Sequence, residues 1–136
     1  MKQKLFVFVI TILLLSVFAF AATKEWTFMV YLDADNNLED AGVADFSEMA
    51  TVGSNDNINI VVQMDRTPGE SSAAGNWTDT RRFYVKKGDS AASTPLEKLG
   101  EVNMGDGNEL KKFIVWAITN YPAKKYALVM WNHGGG

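Results

Sequence analysis

The 136-residue sequence contains no cysteine, three prolines and a single histidine, His133. Without cysteine there can be no disulfides, so the fold must be stabilised by packing. The chain also carries no thiol nucleophile of its own, and no thiol to which a lipid could be attached. Any proton transfer by an imidazole falls on His133 alone. Positive charge is in short supply too: 13 Lys and Arg stand against 16 Asp and Glu, a formal net charge of -3. Nucleic-acid binding needs clustered Lys and Arg to meet phosphate, and this composition argues against it. No internal repeats are present.

The first residues have the pattern of a leader. Lys2 and Lys4 give a short positive start, Leu5 to Phe20 is almost wholly apolar, and Ala19-Phe20-Ala21 supplies small residues where a signal peptidase cuts. The apolar run is shorter than the roughly 20 residues of a spanning helix. Residues 1–21 are therefore expected to be a signal peptide, cleaved after Ala21, and the protein to be secreted or held in the cell envelope, with no membrane association afterwards. Loss of Lys2 and Lys4 moves the formal charge from -3 to -5. About 115 residues remain from Ala22 onward, within the usual size of one domain.

Those residues read as alternating strands and helices. Trp26–Leu32 is short, apolar on both faces and rich in β-branched and aromatic residues, as a central parallel strand is. Asp33-Ala34-Asp35-Asn36-Asn37 forms the turn after it, with Asn37 placed to cap a helix whose first turn holds Glu39 and Asp40. Leu38, Ala41, Phe46, Met49 and Ala50 are that helix's expected apolar stripe, and Gly53–Asp56 its end. Ile58–Asp65 is a second core strand. Thr67–Asn76, rich in small residues, is expected to be a mobile surface loop. Thr80–Lys86 carries charge and reads as an edge strand or half a hairpin, with Arg81 and Arg82 on a solvated face.

A second long helix begins at Asp106, with Glu109 expected to close a capping box. Leu110, Phe113, Ile114, Ala117, Ile118 and Tyr121 follow at helical spacing, and Pro122 stops it. Lys125–Asn132 is the third core strand. The alternation specifies an α/β fold with a mostly parallel sheet and helices on both sides, a three-layer sandwich. Three core strands make an incomplete sheet with one face uncovered, so the chain is expected to be the N-terminal part of a longer protein, with residues 22–136 the first part of one domain.

The chemistry gathers where strands end. The third strand delivers His133 onto Gly134-Gly135-Gly136. In α/β sheets, sites lie just beyond the carboxyl ends of strands. An imidazole titrates near neutral pH and can give or take a proton. Glycine lets a backbone N–H approach a substrate oxygen closely, and such an N–H can stabilise an oxyanion. Asp33 and Asp65 end the other two core strands on the same rim, although turn formation and helix capping account for each equally well. The Asp33–Asn37 segment does not fit an EF-hand, whose sixth and twelfth positions are Gly and Glu; here they are Leu38 and Ala44. Asn76-Trp77-Thr78 matches a short and common glycosylation triplet.

Two of these segments together resemble the clostripain family of cysteine peptidases. They are Trp26–Glu39, and the later combination of Asn103-Met104-Gly105-Asp106 before a helix with a strand ending Trp131-Asn132-His133-Gly134-Gly135-Gly136. The resemblance runs from about Trp26 to the end. It implies a caspase-like fold, shared with gingipains and legumains, and a secreted endopeptidase that cuts peptides or proteins after Arg or Lys through a His–Cys dyad. His133 matches the dyad histidine and Gly134 the residue whose N–H helps form the oxyanion hole. The cysteine and the main acidic residues of the specificity pocket would lie beyond Gly136. Asp33, Asp35, Asn36 and Asn37 fall on the substrate-site rim. No cofactor is required for this chemistry and no metal ligands are assigned; calcium dependence and self-cleavage are known among family members.

Two alternatives stand beside this reading. An α/β-hydrolase of the esterase or lipase type also follows a strand with His-Gly-Gly-Gly, using its N–H groups as an oxyanion hole, with a serine elbow further on. A secreted binding domain without a nucleophile is the other. Since the chain lacks a thiol, the 136-residue polypeptide alone is expected not to hydrolyse an Arg-containing peptide. Turnover of such a peptide by the purified chain, above a buffer control, would refute this.

Overall fold

The computed structural model describes residues 23–134; the leader expected over residues 1–21, Gly135 and Gly136 lie outside the described residues. The order of elements is β1 (Lys24–Ala34), α1 (Glu39–Val52), β2 (Ile58–Arg66), a short 3-10 turn (Ala73–Gly75), β3 (Thr80–Tyr84), β4 (Glu97–Gly100), α2 (Gly107–Asn120) and β5 (Ala123–Trp131). The strands form one sheet in the order β4-β3-β2-β1-β5. β1 pairs in parallel with both β2 and β5, while β3 runs antiparallel to β2 and β4. Four of the five strands thus point the same way, and their carboxyl ends share one rim.

β1 is central because it can be buried on both faces. Met29, Val30, Tyr31 and Leu32 are each 7% exposed or less. The chain moves from β1 to β2 in one direction across the sheet, through α1. It moves from β4 to β5 in the other, through α2. Right-handed crossovers taken in opposite directions put their helices on opposite faces. Phe46 and Ala50 of α1 accordingly pack with Val30, Leu32, Val62 and Met64, whereas Phe113 and Ala117 of α2 pack with Met29, Tyr31 and Val61. The α/β/α layering expected from the sequence is present.

Several local expectations are corrected. Asn37 does not cap α1: the capping position is Leu38, without a side-chain hydrogen bond. The face that α1 buries holds Glu39, Gly42, Phe46 and Ala50, and Ala41 is exposed. Gly42 lies there because α1 approaches β1 closely. A Cβ at this position would meet the Ala34 Cβ at 2.8 Å and the Leu32 Cδ2 at 2.9 Å, with the Trp131 ring 3.5 Å away. Asp106 does cap α2, its side chain accepting from the Asn108 N–H. Glu109, however, turns outward to Lys112 instead of closing a box. Ile118 is 40% exposed, at the margin of the α2 stripe.

The segment expected to be a mobile loop is fastened from beneath. Glu39 and Arg66 form an ion pair at 2.5 Å, both side chains fully buried. The Arg66 guanidinium also donates to the carbonyls of Ser71, Ala73 and Ala74, and the Ser71 N–H donates to the second Glu39 oxygen. Nearly every polar atom of the pair is satisfied, the condition under which buried charges are tolerated.

Of the two readings of β3, half a hairpin holds and an edge strand does not: β3 pairs antiparallel with β4, the next strand in the chain, which covers it. Arg82 is not solvated but 7% exposed: it donates to Gln63 of β2 at 2.8 Å and to Glu97 of β4 at 3.0 Å, and lies over the Trp116 ring of α2. Arg81 is partly exposed and sits over Trp77.

β5 is more open than the expected single uncovered face. Tyr126, Leu128 and Met130 are 39–58% exposed on the α2 side, and Val129 is 43% exposed on the α1 side. Among the described residues no strand pairs with its outer edge. Removing Glu39 as Glu39→Ala leaves the Arg66 charge buried without a counterion, so a loss of about 3–5 kcal/mol in unfolding free energy is expected, measured by urea denaturation.

Candidate functional site

The site is assembled by the register of β1 against β5. Leu32 pairs with Trp131 as the last matched residues of the two strands. The turn after β1 therefore lies beside the turn after β5. The Asn132 side-chain N–H donates to Asp33 Oδ2 at 2.7 Å, and its Oδ1 accepts from the His133 backbone N–H at 2.6 Å. Asn36 donates to the Asp33 carbonyl at 3.0 Å and to Asn132 Oδ1 at 3.3 Å, while its own Oδ1 accepts from the Leu38 N–H at 2.8 Å. The His133 ring, exposed at the rim, places Nε2 2.8 Å from Asn37 Oδ1. Gly134 follows in the left-handed region at φ +66°, a conformation in which L side chains are strained. Trp131 anchors the end of β5 to the opposite layer by donating to Asp45 of α1 at 2.6 Å.

A cavity of about 350 Å³ opens beside this turn on the α2 face. Tyr31, Met104 and Leu110 form its apolar walls, Asp33 and Asp106 its acidic ones, and Gly134 borders it. The Tyr31 hydroxyl donates to the Met104 carbonyl at 3.1 Å. Burial pushes its pKa up to about 12, and Glu109, Asp33, Asp65 and Asp106 add to the shift. Asp33 and Asp106 give the wall of this cavity its acidic character.

Of the rim residues expected from sequence, Asp33, Asn36 and Asn37 meet the His133 turn. Asp35 does not. It turns toward Asp65 and Glu101, and carboxylate oxygens of these three residues lie within 4.8 Å of one another. Asp65 is one strand further from β5 and 1% exposed. Burial raises its pKa to about 7, with Glu101 and Asp35 contributing. The Arg66 N–H and the nearby Thr80 hydroxyl, too poorly placed for a well-formed hydrogen bond, only partly offset this. Three carboxylates drawn together in this way are of the oxygen type that a hard cation takes.

Asn132 and Glu101 were not singled out in the sequence. The signal for Asn132 was its place directly before the histidine, where an Asx turn can form. For Glu101 there was none, since β4 acquires strand structure only by pairing with β3.

Comparison with known proteins bears on the assignment. A family model described as the clostripain family matches residues 30–136. Clostripain of Hathewaya histolytica is 39% identical, over 81% of this chain and 23% of that protein. The chain thus spans about a quarter of the length of that relative. Among solved structures, a B. fragilis cysteine protease is 28% identical, covering 82% of this chain and 91% of that one, with a TM-score of 0.65. A clostripain from Bacteroides thetaiotaomicron, solved with a peptide inhibitor, has the same TM-score at 18% identity, over 84% and 94% of the two chains; at that identity the likeness is one of fold.

The raised pKa of Asp65 has a definite sign. The folded state holds this proton more tightly than the unfolded chain does, so the group's contribution is neutral below about pH 4. It becomes destabilising as pH rises toward 7 and levels off above. Asp65→Asn is therefore expected to raise the melting temperature by several degrees at pH 8 and to leave it nearly unchanged at pH 4, as followed by circular dichroism.

Proposed function

The chain belongs to the clostripain family, and on that premise we propose that it supplies the histidine half of a cysteine endopeptidase's catalytic pair. The thiol comes from polypeptide outside these 136 residues, which contain no cysteine. The observation that carries this reading is the placement of His133. Its ring stands at the carboxyl rim of the sheet, held at Nε2 by Asn37, and is followed by a left-handed glycine. Family membership sets aside the α/β-hydrolase alternative, in which His133 would be a structural residue.

The chemistry follows from the parts. With Asn37 Oδ1 facing Nε2, that nitrogen carries hydrogen and Nδ1 is free to exchange a proton with the thiol. The thiolate attacks the scissile carbonyl, and the tetrahedral oxyanion rests on backbone N–H groups, that of Gly134 among them. The imidazolium then protonates the leaving amine, the C–N bond breaks, and water hydrolyses the thioester to return the thiol. No metal enters any of these steps.

Substrates are peptides or proteins cut after Arg or Lys. Support for a basic side chain comes from the cavity beside Gly134, whose apolar walls suit a methylene stem and whose Asp33 and Asp106 suit its charged end. Secretion through the leader at residues 1–21 is part of the same proposal. Among the described residues no helix is long and apolar enough to cross a membrane.

The test uses the parent polypeptide with its cysteine. His133→Ala is expected to lower kcat on an Arg-ending reporter peptide by roughly 10²–10⁴-fold, the usual worth of a general acid–base group. A substrate-like alkylating peptide should label one cysteine in the wild-type protein. Full activity in His133→Ala, or a parent with no cysteine, overturns the reading.

A further inference from the structure

We infer that Asn37 is a positioning residue for His133, a third member of the catalytic set that fixes the tautomer and direction of the imidazole; as a statement about catalysis this rests on the peptidase reading above. The two neighbouring asparagines divide the work. Asn36 uses both ends of its amide to build the turn and clamp Asn132. Asn37 does none of this. Its place in the sequence suits a helix cap, yet α1 goes without a side-chain cap, and among the described residues the Asn37 side chain bonds to His133, 96 residues away. The Leu38 and Glu39 N–H groups are both taken by Asn36, through its Oδ1 and its carbonyl, so the start of the helix is served without the Asn37 amide, which reaches instead to a distant imidazole.

The chemistry suits this role. Asn37 Oδ1 is an acceptor only, so it requires hydrogen on Nε2 and leaves Nδ1 as the lone-pair nitrogen of the neutral ring. When the ring takes a proton at Nδ1, the same bond persists and is strengthened by the charge. An acceptor that serves both protonation states orients the ring through the whole proton transfer without moving.

The base of this contact is rigid on both sides. Asn132 is tied to Asp33 and to the His133 N–H, so the backbone that carries the ring is fixed relative to the turn that carries Asn37. Asp33, Asn36 and Asn132 thus hold the two turns, and Asn37 reads out their separation at the ring.

The experiment reads this one imidazole in the cysteine-bearing parent. Its signals in long-range ¹H–¹⁵N spectra are identified by their loss in His133→Ala, and dispersion of the backbone amides shows that each variant keeps its fold. The wild type is expected in the Nε2–H form. Asn37→Ala should shift the ring nitrogens toward the averaged values of mixed tautomers, and Asn37→Asp, which keeps the acceptor, should restore the Nε2–H form. Unchanged ring shifts in Asn37→Ala overturn the inference.

In the cysteine-bearing parent, Asn37→Ala should lower kcat by roughly 10- to 100-fold, part of the general acid–base contribution. KM should stay within about twofold, and Asn37→Asp should recover much of the rate. A raised KM with kcat intact would instead make Asn37 a substrate contact and overturn the positioning role. Failure of the peptidase reading is seen separately, as activity surviving in His133→Ala, while the ring spectra still decide whether Asn37 holds the imidazole.

Discussion

The parallel pairing of β1 with β5 is the constraint on which the rest depends. Matched residues run from Lys24 beside Ala123 to Leu32 beside Trp131. Everything at the rim is a continuation of that register: Asp33 reaches Asn132, Asn36 reaches Asn132, and Asn37 reaches His133. Because side chains alternate along a strand, a slip of one residue would exchange the two faces of β5 and carry His133 away from Asn37. β1 is held against such a slip by burial on both faces and by a second parallel partner in β2. A strand buried on both faces thus sets the geometry of an exposed side chain at the rim.

Charge is handled in two ways across the same sheet. Toward β3 and β4 it is compensated: Arg82 joins Gln63 and Glu97, and the Trp116 N–H completes the Glu97 carboxylate, so that strands β2, β3 and β4 are tied to α2. Glu39 and Arg66 do the same on the α1 side. At the carboxyl rim the acids outnumber their partners. Asp65 is pushed toward neutrality, and Tyr31 is made a weaker acid. Paired charges serve the scaffold, and the unbalanced ones surround the open end of the sheet, where a cationic side chain would be drawn in.

Much of the architecture was legible in the sequence because its signals are local. β1, β2 and β5 announce themselves as continuous apolar runs, and α2 by its spacing, Asp106 and Pro122. What failed depends on partners far along the chain. Glu39 is buried only because Arg66 neutralises it, and Arg82 only because Gln63, Glu97 and Trp116 surround it; a charged residue read alone suggests solvent. β4, four residues with two charges, has no strand pattern of its own. The site divides along the same line. That Asp33, Asp65 and His133 share a rim follows from strand ends, as does the place of Gly134. That Asn37 turns to the histidine while Asp35 turns to Asp65 and Glu101 is decided by the packing of turns, which no periodicity records.

Gly42 links the core to the chemistry by what it leaves out. The helix that begins just after Asn37 rests against Ala34, Leu32 and Trp131 with no room for one more carbon. Ala34 and Trp131 close the two strands whose turns meet at the imidazole. A hydrogen atom on a buried α-carbon therefore works as a shim: its thickness sets how far the amide stands from the ring, and so makes the aim of a proton carrier at the surface a property of steric clearance in the interior.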